Sequence, residues 1–219
     1  MERVSTGRRV AAGIEASIAI ALAVMDLFIP ALLIAALALA SLAVRRTGAS
    51  SLGLRRLPRA GRTTLVVLGL SIAWTLLDVG VFMPALNHAT GTTQDVSDFA
   101  DVRGNLAQLA LFVGLSWTLA AFVEEFAFRG YLLTRLRTVL PSGRGGYIAA
   151  AAITSVAFGC IHAEQGIVGM VVATIDGAFF AWLKARYSDI LWAPILAHGF
   201  DNTIGFVAFF FVGPVAGLW

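Results

Sequence analysis

Six polar residues in the second half of a very apolar chain have the types and spacings of a hydrolytic site. Glu124 and Glu125 are adjacent, and Arg129 follows within the stretch EEFAFRG. Glu125 and Arg129 are spaced i, i+4, so on an α-helix they face each other and can pair. Glu124 then points about 100° away around the helix and is left without a local partner. Two carboxylates sharing one cation leave one charge uncompensated, which suits a general base or acid. His162 closes the stretch FGCIH. His198 and Asn202, in HGFDN, lie one helical turn apart on one face, so an imidazole and an amide can point into the same cavity.

Each piece has a plainer reading. A Glu–Arg pair can lock two helices together, a membrane histidine can serve as an interhelical hydrogen-bonder, and an asparagine can pack. Together they say more: three separate apolar stretches supply Glu, His, His and Asn within about 80 residues. Ionisable groups inside a bilayer cost several kcal/mol unless paired or hydrated, which makes them functional candidates. Glu15, Asp26, Asp78, Asp176 and Asp201 also fall in or near apolar stretches. Structural pairing is the expectation for these five, although Asp176 has no partner nearby in sequence. His88 falls in a polar loop and is expected at the surface. The single cysteine, Cys160, excludes an internal disulfide and reads as a small buried apolar residue.

The elements that must position these residues are membrane helices. The chain has 219 residues, 58% hydrophobic and 13% charged, against about 25% charged in a soluble domain. Its apolar runs are long and lack the period-two alternation of a barrel strand. The expected fold is therefore all-α, a polytopic transmembrane bundle of about seven spans with a catalytic cavity between the C-terminal helices. Residues 10–44 read as a hairpin turning at Asp26 to Pro30, or as one long tilted helix. With the basic loop 45–62 they form an N-terminal part, 1–63, ahead of a membrane core, 64–219. Spans are expected at 64–86, 105–134, 147–163, 166–184 and 189–212. The opening run is too long for a cleaved signal peptide. The net charge is +3, and the basic residues sit in alternate short loops. That is the positive-inside pattern, with the N-terminus cytoplasmic, and it excludes a nucleic-acid partner as the reason for the charge. The partners expected are the lipid bilayer and a peptide or membrane-protein substrate. The oligomeric state is not legible.

EEFAFRG reads as EExxxR, FGCIH as FxxxH and HGFDN as HxxxN. In that order on separate helices they resemble the CAAX protease and bacteriocin-processing family of intramembrane proteases, over about residues 105–212. The resemblance implies an endopeptidase whose site opens toward the cytoplasmic side. Glu124 would activate water with help from His162, Glu125 would assist, and Arg129 would hold the acidic pair. His198 and Asn202 would stabilise the oxyanion. Glu124, His162 and His198 also form a plausible zinc set with one open position, but no HExxH spacing demands the metal. The reading adopted has no obligatory metal. Composition rich in Ala, Gly and Arg suggests a bacterial cytoplasmic membrane. The alternatives are a non-catalytic membrane immunity or peptide-sequestering protein, or a small transporter. A transporter of this kind should show internal repeats, and none is seen. Counted from the expected inner ends, Glu124 lies roughly 15 Å deep, His198 about 13 Å and His162 about 22 Å, so one of these spans must tilt, start later or break.

Overall fold

The computed structural model describes residues 5–213, which form helices and no strand. Arg3 and residues 214–219 lie outside the described residues. Helix α1 (Thr6–Val24) and helix α2 (Pro30–Arg45) are joined by a short turn, so the hairpin reading of residues 10–44 holds. Asp26 and Phe28 take left-handed backbone angles in that turn, with φ of 46° and 57°. Aspartate tolerates this region through local hydrogen bonding. Pro30 occupies the first turn of α2, where its missing N–H costs nothing. A stripe of alanines, Ala12, Ala16, Ala19 and Ala23, is the buried face of α1, and small residues of this kind let membrane helices approach closely.

Helix α3 (Ala60–Thr90) and helix α4 (Leu106–Val139) are the two longest rods. They are followed by α5 (Arg144–Cys160), α6 (Gly166–Arg186) and α7 (Trp192–Val212). Among the described residues, four helices are long and apolar enough to cross a membrane: α3, α4, α6 with the short turn before it, and α7. Helix α2 has 16 residues and spans about 24 Å, short of a hydrocarbon core of about 30 Å. Helix α1 carries Arg8, Arg9 and Glu15.

The hairpin packs on α4, and α7 packs between α3 and α4 while also touching α6. Helices α5 and α6 make the most extensive pairing. Gly159 permits it, because a Cβ there would stand 2.5 Å from the Met170 carbonyl oxygen. At the end of the bundle that carries most of the arginines, the loops are pinned to one another. Leu191 N–H donates to the Gly53 carbonyl at 2.9 Å, and Arg137 pairs with Asp189 at 2.8 Å. Glu15 accepts Arg45 at 2.7 Å and Arg135 at 3.0 Å, joining α1, α2 and α4. Arg135 and Lys184 lie within α4 and α6 and are buried, a departure from the loop placement expected of the basic residues. The Lys184 ammonium donates to the Arg129 and Leu52 carbonyls.

Candidate active site

The EEFAFRG stretch lies in a distorted part of α4. Hydrogen bonding there is of the wide i→i+5 kind over Ser116–Glu124 and again over Phe126–Leu132. Such bulges recur at functional sites because they re-aim side chains without breaking a helix. Arg129 Nη1 donates to Glu125 Oε1 at 2.9 Å, and both side chains are fully buried. The i, i+4 pair expected from spacing is therefore present. The guanidinium lies 4.0 Å over the Phe158 ring, a favourable placement for a desolvated cation. Gly177 makes room for it: a Cβ there would lie 2.8 Å from Arg129 Nη2.

The same Glu125 oxygen accepts His198 Nδ1–H at 3.1 Å. Glu125 is thus a shared acceptor behind the cavity wall, holding α4 to α7. His198 stacks on Phe180 with ring centroids 4.9 Å apart, and its Nε2 lies 4.0 Å from Glu124 Oε2. Because Glu125 takes Nδ1–H, the tautomer of neutral His198 leaves its lone pair on Nε2, toward Glu124. His162 is fixed in a similar way: its Nδ1 donates to the Phe158 carbonyl at 2.9 Å, so its Nε2 is the free acceptor.

A cavity of about 400 Å³ is lined by Glu124, His162, His198 and Asn202, within the usual range for a ligand site. The four residues expected to act on substrate thus share one wall, while Glu125 and Arg129 stand behind it. The mismatch in depth is resolved by stagger of the helix ends: α7 starts beside Gly130, well along α4, so His198, roughly 9 Å into α7, comes level with Glu124 although α4 runs on to Val139. Glu124 then lies roughly 22 Å from its inner end. His162 stands in the turn just after α5, roughly 27 Å from the start of that helix.

The cavity occupies the half of the bundle near residues 91–105 and 163–165. Asp78 and Met83 of α3, Phe112 of α4 and Phe209 of α7 line it, and Gln94 and Gln165 form its rim, hydrogen-bonded at 2.7 Å. The arginine-rich loops lie at the opposite end. The cavity thus lies toward the end of the bundle that the positive-inside rule would place at the outer face.

Three acids that sequence reasoning assigned to structural pairing also line the cavity. Asp176 accepts the Trp74 indole N–H at 2.7 Å, and Asp201 accepts the Thr75 hydroxyl. Asp78, at the start of an i→i+5 turn in α3, has an Oδ1 with no hydrogen-bond partner among the described residues. The signal available in sequence was that Asp176 had no local partner. Glu15 and Asp26, by contrast, are an ion-pair anchor and a turn residue, as expected. Among the described residues no group of three His, Cys, Asp or Glu side chains is arranged to hold a metal ion. Glu124 and the two free Nε2 atoms are not drawn into one coordination sphere.

The bundle thus sets a carboxylate–histidine centre on a cavity among helices long and apolar enough to cross a membrane. Residues 106–204 match the family model Rce1-like, type II CAAX prenyl endopeptidase. The matched segment carries the site, and the family model is that of the CAAX protease family to which the three motifs pointed. No curated protein and no solved structure matches the chain.

Proposed function

We propose that the protein is an intramembrane endopeptidase, of a bacterial cytoplasmic membrane, that hydrolyses a peptide bond with water activated by Glu124. The observation that carries this reading is the convergence of Glu124, His162, His198 and Asn202, from α4, α7 and the turn after α5, on one cavity. The Glu124 carboxylate takes a proton from water held against His162 Nε2. The resulting hydroxide adds to the substrate carbonyl carbon, and the carbonyl π electrons move onto oxygen. His198, in its doubly protonated form, offers Nε2–H to that oxyanion while Glu125 balances its charge through Nδ1–H. Asn202 offers its amide N–H. The carbon–nitrogen bond then breaks, and the leaving amine takes the proton from Glu124.

The substrate is a peptide or membrane-associated protein. No step requires a metal. The test compares wild type, Glu124→Gln and His162→Ala in detergent against quenched fluorescent peptides, including lipidated ones, with and without a chelator. Cleavage is expected from wild type in both conditions and to fall about 10²–10⁴-fold in Glu124→Gln, the usual worth of a general base. Cleavage that survives Glu124→Gln removes that role, and cleavage lost to the chelator removes the metal-free route. A protein that binds peptides but cleaves none is the peptide-sequestering alternative.

A further inference from the structure

The cavity wall has a charge that hydrolysis alone does not call for. Besides Glu124, it presents Asp78, Asp176 and Asp201, and among the described residues no lysine or arginine lines it. The three aspartates come from α3, α6 and α7 and are near enough for their charges to interact. Trp74 holds Asp176 in place and is itself stacked on Phe179 at 4.2 Å. Asp78 is only 8% exposed, and its Oδ1 has no hydrogen-bond partner among the described residues. Arg129 pairs with Glu125 through Nη1 and does not itself line the cavity. Three desolvated carboxyls this close either hold protons or take a positive group among them, and an arriving cation can displace the protons. They are not grouped as a metal site.

The approach has the same sign. Asp95, Asp98 and Glu164 surround a smaller hollow of about 190 Å³ that shares Phe99 and Gln165 with the main cavity. Asp95 receives hydrogen bonds from the Ser97 side chain and backbone N–H, which hold its carboxyl below the usual carboxylate value. It therefore keeps its charge across physiological pH. A path of one sign leading into an apolar-walled cleft draws in ligands of the other sign.

We infer that the cavity recognises a cationic side chain, Lys or Arg, in the peptide it receives, with Asp78, Asp176 and Asp201 as the receiving carboxylates. This specificity rests on the peptidase reading for its purpose but not for its test. Binding is measured to the Glu124→Gln protein in nanodiscs, where no cleavage confuses the signal. Two fluorescent peptides are used, both N-acetylated and C-amidated, identical except for one internal Lys replaced by norleucine. With both termini blocked, the side chain is the only source of positive charge.

The Lys peptide is expected to bind at least about tenfold tighter, the usual scale of a charge-assisted contact, and to lose that advantage in high salt. Adding Asp78→Asn and Asp176→Asn should bring the two affinities together. Equal affinities, a preference that survives both substitutions, or no binding of either peptide overturns the inference. The first comparison needs no change in the acidic wall, so a misfolded variant cannot decide it. Wild-type cleavage of both peptides at equal rates would refute the acidic site and leave the peptidase standing. Lys-selective binding without cleavage of any peptide would do the reverse.

Discussion

Glu124 and Glu125 are neighbours in the chain, yet the fold gives them opposite surroundings. Glu125 is sealed between Arg129 and His198, whereas Glu124 faces the cavity. Their substitutions should therefore separate. Glu125→Ala leaves the Arg129 guanidinium buried without its counter-charge, which typically costs about 3–5 kcal/mol. Its melting temperature in detergent should fall sharply and activity with it. Glu124→Gln should abolish cleavage and melt no lower than wild type, since it removes a poorly compensated buried charge. Equal losses of stability in the two would mean that Glu124 is structural. Sequence spacing showed the Glu125–Arg129 pair because both residues share one turn. It did not show that Glu125 also binds His198, 73 positions away, because hydropathy and periodicity carry no information about which helices touch. The three cavity aspartates were missed for the same reason: their neighbours lie on other helices.

At the scale of the helix, the register of α4 is the feature that sequence concealed. Periodicity expects 3.6 residues per turn, and nothing in a uniformly apolar stretch marks where bonding shifts to i→i+5. Each such insertion turns the side chains on one side of it relative to those on the other. Deleting Leu119, within the first wide segment, should let ordinary α bonding resume and swing Glu124 off the cavity wall. Helix content by circular dichroism should persist while cleavage is lost. Retained cleavage would show that the bulge is not needed to aim the carboxylate. Gly177 gives a second test, because a Cβ there meets both Arg129 and Ser155. Gly177→Ala should lower stability by roughly 1–3 kcal/mol through overpacking, seen as a lower melting temperature.

Across the whole molecule, the hairpin and the placement of the later helices were legible from loop charge, prolines and run length. Span number was less so, since α1 and α2 are short or charged and α4 runs five residues past its expected end. The direction in which the cavity opens was not legible, because it depends on which halves of the helices part. Orientation can be measured with Thr92→Cys in a Cys160→Ser background. If the arginine-rich end is cytoplasmic, a membrane-impermeant maleimide should label residue 92 in intact cells. Protection there would place the cavity mouth in the cytoplasm and set aside the charge rule for this chain.

The Glu15–Arg45–Arg135 bridge has a consequence for biosynthesis. Arg135 is made 90 residues after Arg45, so at roughly 5–20 residues per second the bridge closes about 5–20 s after the hairpin emerges. Through that interval the hairpin exists as a separate passenger in the membrane, with Glu15 held by Arg45 alone. The contact with α4 is therefore an encounter between two inserted pieces, not a continuation of one. A gene cut in the basic loop near residue 58 and expressed as two polypeptides should still assemble. Replacing Arg135 with a neutral residue should leave both halves inserted but apart.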